Sequence, residues 1–133
     1  MLEPGLEATV EERVTEEMSA VALGSGDVAV LGTPAVLALA ERTACAAIDG
    51  RLGEGETSVG TWVELSHLAP TPVGGTVTAN ARLAEVDGPS LTFEVSLSDG
   101  SGEVARGTHR RAVVERERFR RSAERRSASR ASP

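Results

Sequence analysis

The chain has no lysine and no tyrosine, and its 133 residues include one cysteine and three aromatic side chains. A single cysteine, Cys45, excludes a disulfide within the chain. Together with two histidines it supplies too few ligands for a zinc cage, so we expect no metal. The longest nearly apolar run, residues 34–40, is too short to cross a bilayer, and no secretion-signal pattern is present. We therefore expect one cytoplasmic domain with no membrane partner.

The scarcity of aromatic residues also limits the partners and the core. Trp62, Phe93 and Phe119 are too few to form stacking platforms for single-stranded nucleic acid. The core must therefore consist of Val, Leu and Ala side chains. Because a small domain with few large side chains buries little surface by itself, an oligomer is expected.

Charge is distributed unevenly along the chain. All 14 basic residues are arginine, and the net charge is −6. Nine arginines against three glutamates give residues 110–133 a charge of +6, which leaves −12 for the preceding residues. Charge alone carries little binding specificity, so we expect no nucleic-acid partner. Residues 122–133 are rich in Ser, Ala and Arg and predict a flexible tail after a single domain over residues 1–121.

The positions of Gly and Pro, together with the hydrophobic periodicity, predict the secondary-structure elements. Thr33-Pro34 indicates a helix start with Thr33 as the N-cap, and Gly50 ends that helix near Asp49. Two Asp-Gly pairs indicate hairpins, and residues 16–32 read as a loop with a helical turn. Strands are predicted at residues 7–15, 57–68, 76–86, 90–98 and 103–115.

The order of these elements predicts an α+β fold. Both ends of the helix are apolar on all sides, so the helix must be buried on most faces. A long central helix wrapped by a curved five-strand antiparallel sheet, with the last four strands as a meander, is the simplest solution. That arrangement is the hotdog fold. Because one sheet cannot cover every face of such a helix, two subunits side by side are expected.

Glu41 is the first candidate for chemistry. A carboxylate within a nearly apolar helix costs several kcal/mol if it stays charged without a partner, and burial makes it a stronger base. The alternative is an ion pair with Arg42 or with another arginine at the edge between helix and sheet. At this point both interpretations stay open.

Other polar residues have equally plain structural interpretations. His67 ends its predicted strand and shares a strand face with Val63. A lone histidine at a strand end is more often structural than catalytic, and the same holds for His109. Gly60 inside a strand allows a ligand or a partner chain to approach the backbone closely. Cys45 is predicted to be an inert core residue.

Four segments together resemble one family. In order, they are Leu31–Glu41, Glu54–Thr61, His67–Gly75 and Gly107–Arg111. With their spacings they resemble the fluoroacetyl-CoA thioesterase family of hotdog proteins over roughly residues 10–120. The distinctive set is the helix Thr and Glu eight residues apart together with a strand-end His before Ala-Pro-Thr-Pro.

This resemblance implies a homodimer, with a tetramer as a larger alternative, that has its active sites at the subunit interface. It implies hydrolysis of a short or medium acyl-CoA thioester, with Thr33, Glu41 and His67 as the catalytic set. Glu41 would act as base or nucleophile. Gly60 and Arg111 match the residues that lie near the bound acyl group. No metal and no cofactor other than the CoA of the substrate is implied.

One segment departs from the family pattern. The fluoroacetyl-specific member carries bulky aromatic residues before the helix, whereas Leu23–Val30 contains none. We therefore expect a different, larger acyl group. The alternatives are a non-catalytic hotdog module that binds an acyl-CoA-like metabolite and, with less support, a hotdog dehydratase.

Overall fold

The computed structural model describes residues 1–131, with side chains described through residue 128. Five strands and three α-helices follow one another, with a short 3₁₀ turn at Glu16–Met18 before the first helix. In chain order these are β1 Glu7–Arg13, α1 Ala20–Leu23, α2 Thr33–Ala47, β2 Glu56–His67, β3 Thr76–Asp87, β4 Ser90–Asp99, β5 Gly102–Glu115 and α3 Arg116–Ala131. The predicted long helix and all five predicted strands are present.

Helix α2 is the centre of the fold. It contacts all five strands, and its buried side consists of Val36, Leu39, Ala40, Thr43, Ala44 and Ala47. The expected N-cap is wrong by one residue, because Gly32 occupies that position and Thr33 is the first helical residue. The hydroxyl of Thr33 therefore makes no cap bond and is available to the neighbouring strand.

The five strands form one antiparallel sheet in the order β1-β3-β4-β5-β2. The two predicted hairpins, at Asp87–Ser90 and Asp99–Gly102, join β3 to β4 and β4 to β5. The prediction of a four-strand meander is wrong, because β2 pairs with β5 and lies at the edge. The connection from β2 to β3 contains Pro70, Pro72 and two glycines and crosses the sheet instead of turning back.

A β-bulge in β2 changes which side chains face α2. The register against β5 shifts between Gly60 and Trp62. Before the bulge, Ser58 and Gly60 lie on the α2 side; after it, Leu65 and His67 do. Val59 therefore does not share a face with Val63, as strict alternation predicted, because the extra residue reverses the pleat. Gly60 and His67, seven residues apart, reach the same side of the sheet.

The core is aliphatic apart from Phe93, as the composition predicted. Cys45, expected in that core, is exposed instead. It lies on the face of α2 that the sheet does not cover, together with Pro34, Ala38, Arg42 and Ala46. The small and apolar residues of this face leave a strip of the central helix open in the single chain.

The chain after β5 is helical where we expected an irregular tail from residue 122. Helix α3 spans Arg116–Ala131, and the side chains of residues 116–128 are all exposed. Arg120 bridges Glu117 and Glu124 at helical spacing, which supports a helix without tertiary packing. Residues 132 and 133 of the predicted tail lie outside the described residues, and its flexibility stays a prediction. No helix within residues 1–131 is long and apolar enough to span a membrane.

Candidate functional site

A threonine and a histidine meet at the start of α2. The Oγ1 atom of Thr33 lies 2.8 Å from Nδ1 of His67, at the end of β2. The other ring nitrogen, Nε2, is buried and has no hydrogen-bond partner among the residues that the structure describes. Since a buried polar atom without a partner is costly, this nitrogen is suited to a ligand or a group from another chain.

A second cluster surrounds Glu41, two turns further along α2. Its Oε2 accepts a hydrogen bond from Nη1 of Arg111 on β5 at 3.0 Å. The side chain is 37% exposed, so Glu41 is not a fully buried carboxylate without a partner. The ion-pair alternative is the one observed, with Arg111 as the partner. Arg42 instead lies 3.6 Å from Glu12 on the outside of the helix.

Arg111 is itself held by several protein acceptors. Its Nε donates to Oγ of Ser58 at 2.9 Å, and its Nη2 donates to the Ser58 carbonyl at 3.0 Å. Its Nη1 lies 3.2 Å from Nε2 of His109 in addition to Glu41. Four of the five N–H groups of the guanidinium thus have partners within the chain. In the single chain Arg111 orients the carboxylate of Glu41 and has little capacity left to grip a substrate.

Gly60 faces this cluster at the bulge of β2. A Cβ atom at this position would overlap Oε2 of Glu41 and lie 3.5 Å from Nη1 of Arg111. Only a glycine lets the carboxylate lie directly against the strand. The sequence predicted close approach of a ligand or a partner chain at Gly60; within the single chain, the group that lies against its backbone is the Glu41 carboxylate.

His109 was left as a structural candidate by the sequence, yet it belongs to the Glu41 cluster. Its Nε2 lies 3.6 Å from Oε2 of Glu41, and its side chain is 2% exposed. Burial lowers the pKa of His109 from its usual value of 6.5, and the nearby positive charge of Arg111 lowers it further. The signal available in the sequence was its spacing, since His109 and Arg111 are two apart and therefore share a face of one strand.

The two clusters are separate within one chain. Thr33 and Glu41 are eight residues apart on α2, which places them about 12 Å apart along the helix axis. His67 and Gly60 are seven residues apart on β2, roughly 23 Å along an extended strand. One subunit therefore presents a hydroxyl–imidazole pair and, at a distance, a half-exposed carboxylate. Within the described residues no group of three His, Cys, Asp or Glu could hold a metal ion.

This arrangement supports acid–base or nucleophilic chemistry. Of the two oxygens of Glu41, only Oε2 is hydrogen-bonded among residues 1–131, which leaves Oε1 for a water or an electrophile. The Thr33–His67 pair can donate a hydrogen bond to a developing negative charge.

Known proteins are similar to this chain in sequence and in structure. A curated fluoroacetyl-CoA thioesterase from Streptantibioticus cattleyicolor is 41% identical over 90 residues, which are 68% of this chain and 65% of that protein. A crystal structure of a threonine-to-serine mutant of FlK in complex with acetyl-CoA is 30% identical. It superposes with a TM-score of 0.89 and covers 94% of this chain and 98% of its own. A thioesterase superfamily member from Thermus thermophilus is 28% identical with a TM-score of 0.85, over 96% of this chain and 98% of its own.

The family model of the fluoroacetyl-CoA-specific thioesterase FlK matches residues 14–117. This range includes both clusters and every strand except β1. The hotdog fold predicted from the sequence is confirmed by the two structures. The chain belongs to the fluoroacetyl-CoA-specific thioesterase family.

Proposed function

We propose that this protein hydrolyses an acyl-CoA thioester to the free acid and CoA. The observation that carries the proposal is the position of Glu41, a half-exposed carboxylate fixed over Gly60 by Arg111 with one oxygen unengaged. Support comes from the family, whose curated relative is a fluoroacetyl-CoA thioesterase, and from the FlK structure with acetyl-CoA. Water is the second substrate, and no cofactor beyond the CoA moiety takes part.

Glu41 activates the attack on the thioester. As a base it takes a proton from water, whose oxygen adds to the carbonyl carbon. The tetrahedral intermediate then collapses, the C–S bond breaks, and the departing thiolate takes up the proton. As a nucleophile Glu41 adds to the carbonyl itself, the C–S bond breaks to release CoA thiolate, and water hydrolyses the resulting anhydride to the free acid and Glu41. Both routes use the carboxylate that Arg111 holds against Gly60.

Thr33 and His67 act on the other side of the reacting carbonyl. When the hydroxyl of Thr33 donates to Nδ1, the ring hydrogen of His67 lies on Nε2, the buried nitrogen without a partner. That N–H can stabilise the carbonyl oxygen as it becomes negative or protonate the leaving sulfur. This role would use the one polar atom of the pair that the chain leaves unsatisfied.

A complete site needs both clusters, and one chain holds them too far apart for a single thioester. We therefore propose a homodimer in which the Thr33–His67 pair of one subunit faces the Glu41 of its partner. The open edge of β2 and the small-residue face of α2 are the surfaces that such a dimer would cover. A tetramer would require a further surface outside this interface.

The acyl group is proposed to be a short or medium aliphatic chain. Thr33 follows Gly32, and a Cβ at Gly32 would lie 3.1 Å from Cδ1 of Leu23. The segment before α2 therefore places an aliphatic side chain against Gly32, the residue before Thr33. Because this segment contains no aromatic residue, its side chains leave more space than bulky rings would.

The test is release of free thiol from a panel of acyl-CoAs, from acetyl to longer aliphatic and aromatic groups. We expect turnover by the wild type and a loss of about 10²- to 10⁴-fold in Glu41→Ala. Glu12→Ala is the matched control, since Glu12 is an acidic residue that pairs with Arg42 away from both clusters. Thermal stabilisation by acyl-CoA without any turnover would overturn the proposal and indicate a non-catalytic binding module.

A further inference from the structure

His109 is buried where three elements meet. On β5 it pairs with Val63 of β2 and with Phe93 of β4, and its ring stacks on Phe93 at 6.3 Å between centroids. Its Nδ1 lies 2.9 Å from the Trp62 carbonyl, and its Nε2 lies 3.2 Å from Nη1 of Arg111. Both ring nitrogens are therefore engaged by the chain itself.

These two partners permit only one form of the ring. An arginine guanidinium has donors and no acceptor, so Nε2 of His109 must accept. A backbone carbonyl only accepts, so Nδ1 must carry the hydrogen and donate it to Trp62. The neutral ring with its hydrogen on Nδ1 satisfies both contacts, and neither the other tautomer nor the charged ring does.

We propose that His109 is a positioning residue for the reaction. It accepts one hydrogen of Nη1 of Arg111, so that the other hydrogen of the same nitrogen points at Oε2 of Glu41. The inference rests on the proposed function, since the carboxylate being aimed is the one that attacks. His109 itself need not touch the substrate.

Protonation of His109 would break this arrangement. A hydrogen on Nε2 would face Nη1 of Arg111, and the acceptor would be lost. The charged groups that face the ring are Arg111 on its own strand and Glu41 on α2, while β2 contributes the Trp62 carbonyl and β4 contributes Phe93. Burial is the main cause of the lowered pKa and keeps the ring neutral near neutral pH.

Two substitutions of His109 distinguish the hydrogen bond of one ring nitrogen from that of the other. His109→Gln can place an amide oxygen where Nε2 lies and accept from Arg111, but it loses the donor to Trp62. His109→Asn can place its NH₂ where Nδ1 lies and donate to Trp62, but it loses the acceptor for Arg111. Both lose the stacking on Phe93, so each serves as the packing control for the other.

We expect kcat/KM for thiol release to fall roughly 10- to 100-fold in His109→Asn and by no more than about threefold in His109→Gln. Equal losses in the two variants, or full activity in His109→Asn, would overturn the inference. A purely structural histidine would give matched losses of stability and no such split.

A second measurement does not depend on catalysis. Glu41→Gln removes the partner of a buried arginine, so it lowers the unfolding temperature in the wild type and in His109→Gln. In His109→Asn, Nη1 of Arg111 is no longer held toward Glu41. Glu41→Gln therefore lowers the unfolding temperature of that variant little further. If the wild type releases no thiol but this non-additivity appears, the proposed function fails and the positioning role stands. Additive effects in both backgrounds would overturn the positioning role.

Discussion

Gly60 controls where the carboxylate of Glu41 can lie. In Gly60→Ala the new methyl group displaces Oε2, which is the end of a flexible side chain, so the fold can adjust at little cost. We expect a loss of stability no larger than that of Glu41→Gln, because the Glu41–Arg111 contact is the one that is disturbed and Ala in a strand loses less conformational freedom than Gly. We expect kcat/KM to fall by about 10²-fold because the reacting atom is misplaced. Thermal unfolding and thiol release measure the two effects.

Gly107 provides the contrast. A Cβ there would overlap the backbone carbonyl of Glu64, which cannot move without disturbing the pairing of β2 with β5. Gly107→Ala should therefore lose about 1–3 kcal/mol of stability, typical of overpacking. If Gly60→Ala destabilised the protein as much as Gly107→Ala, the account of Gly60 as a site residue would be wrong.

At the residue scale, the sequence indicated which residues are candidates for the site better than it indicated what surrounds each of them. The sequence singled out Thr33, His67, Gly60 and Glu41 as candidates, and the resemblance grouped Thr33 with His67. The contacts of Thr33 with His67 and of Gly60 with Glu41 come from the structure. The sequence left open whether Glu41 is buried alone or paired, because one helix sequence does not show which face a sheet will cover. His109 was undervalued because its significance depends on Arg111 and the Trp62 carbonyl, which only the sheet register brings to it.

Among the secondary-structure elements, β2 shows that a local sequence pattern predicts a strand but not the strand with which it pairs. Its strand and its bounds were predictable from alternation, but its partner was not, because the choice between β3 and β5 depends on long-range pairing. The Pro- and Gly-rich connection after His67 is longer than a hairpin turn. Its length was the available indication that β2 does not pair with β3. The bulge had one local signal, Gly60 in mid-strand, and it is the feature that brings both clusters to the α2 side.

Helix α3 is the element with the least tertiary support. Because the side chains of residues 116–128 are exposed, a chain ending at Arg121 should unfold within about 3 °C of the full chain and release thiol at the same rate. A chain ending at Glu115 also loses the bond from the Arg116 N–H to the Gly55 carbonyl and is expected to be less stable. Loss of activity in the chain that ends at Arg121 would contradict this expectation and show that α3 contributes to the site.

At the scale of the whole molecule, three features of the single chain fit the proposed dimer. They are the uncovered face of α2, the free edge of β2 and the unpartnered Nε2 of His67. Each is unfavourable in isolation: exposed small apolar residues, open backbone groups and an unsatisfied ring nitrogen. A second copy related by a two-fold axis could cover all of them at once.

Subunit complementation tests this account most directly. Glu41→Gln and His67→Ala subunits, each inactive alone, are co-expressed with different tags, and the mixed dimer population is assayed for thiol release. If the site combines Glu41 of one subunit with Thr33 and His67 of the other, half of the dimers are mixed and each has one intact site. The account therefore predicts about a quarter of the wild-type activity. Activity no higher than that of either parent, in a population shown by its tags to contain mixed dimers, would contradict it.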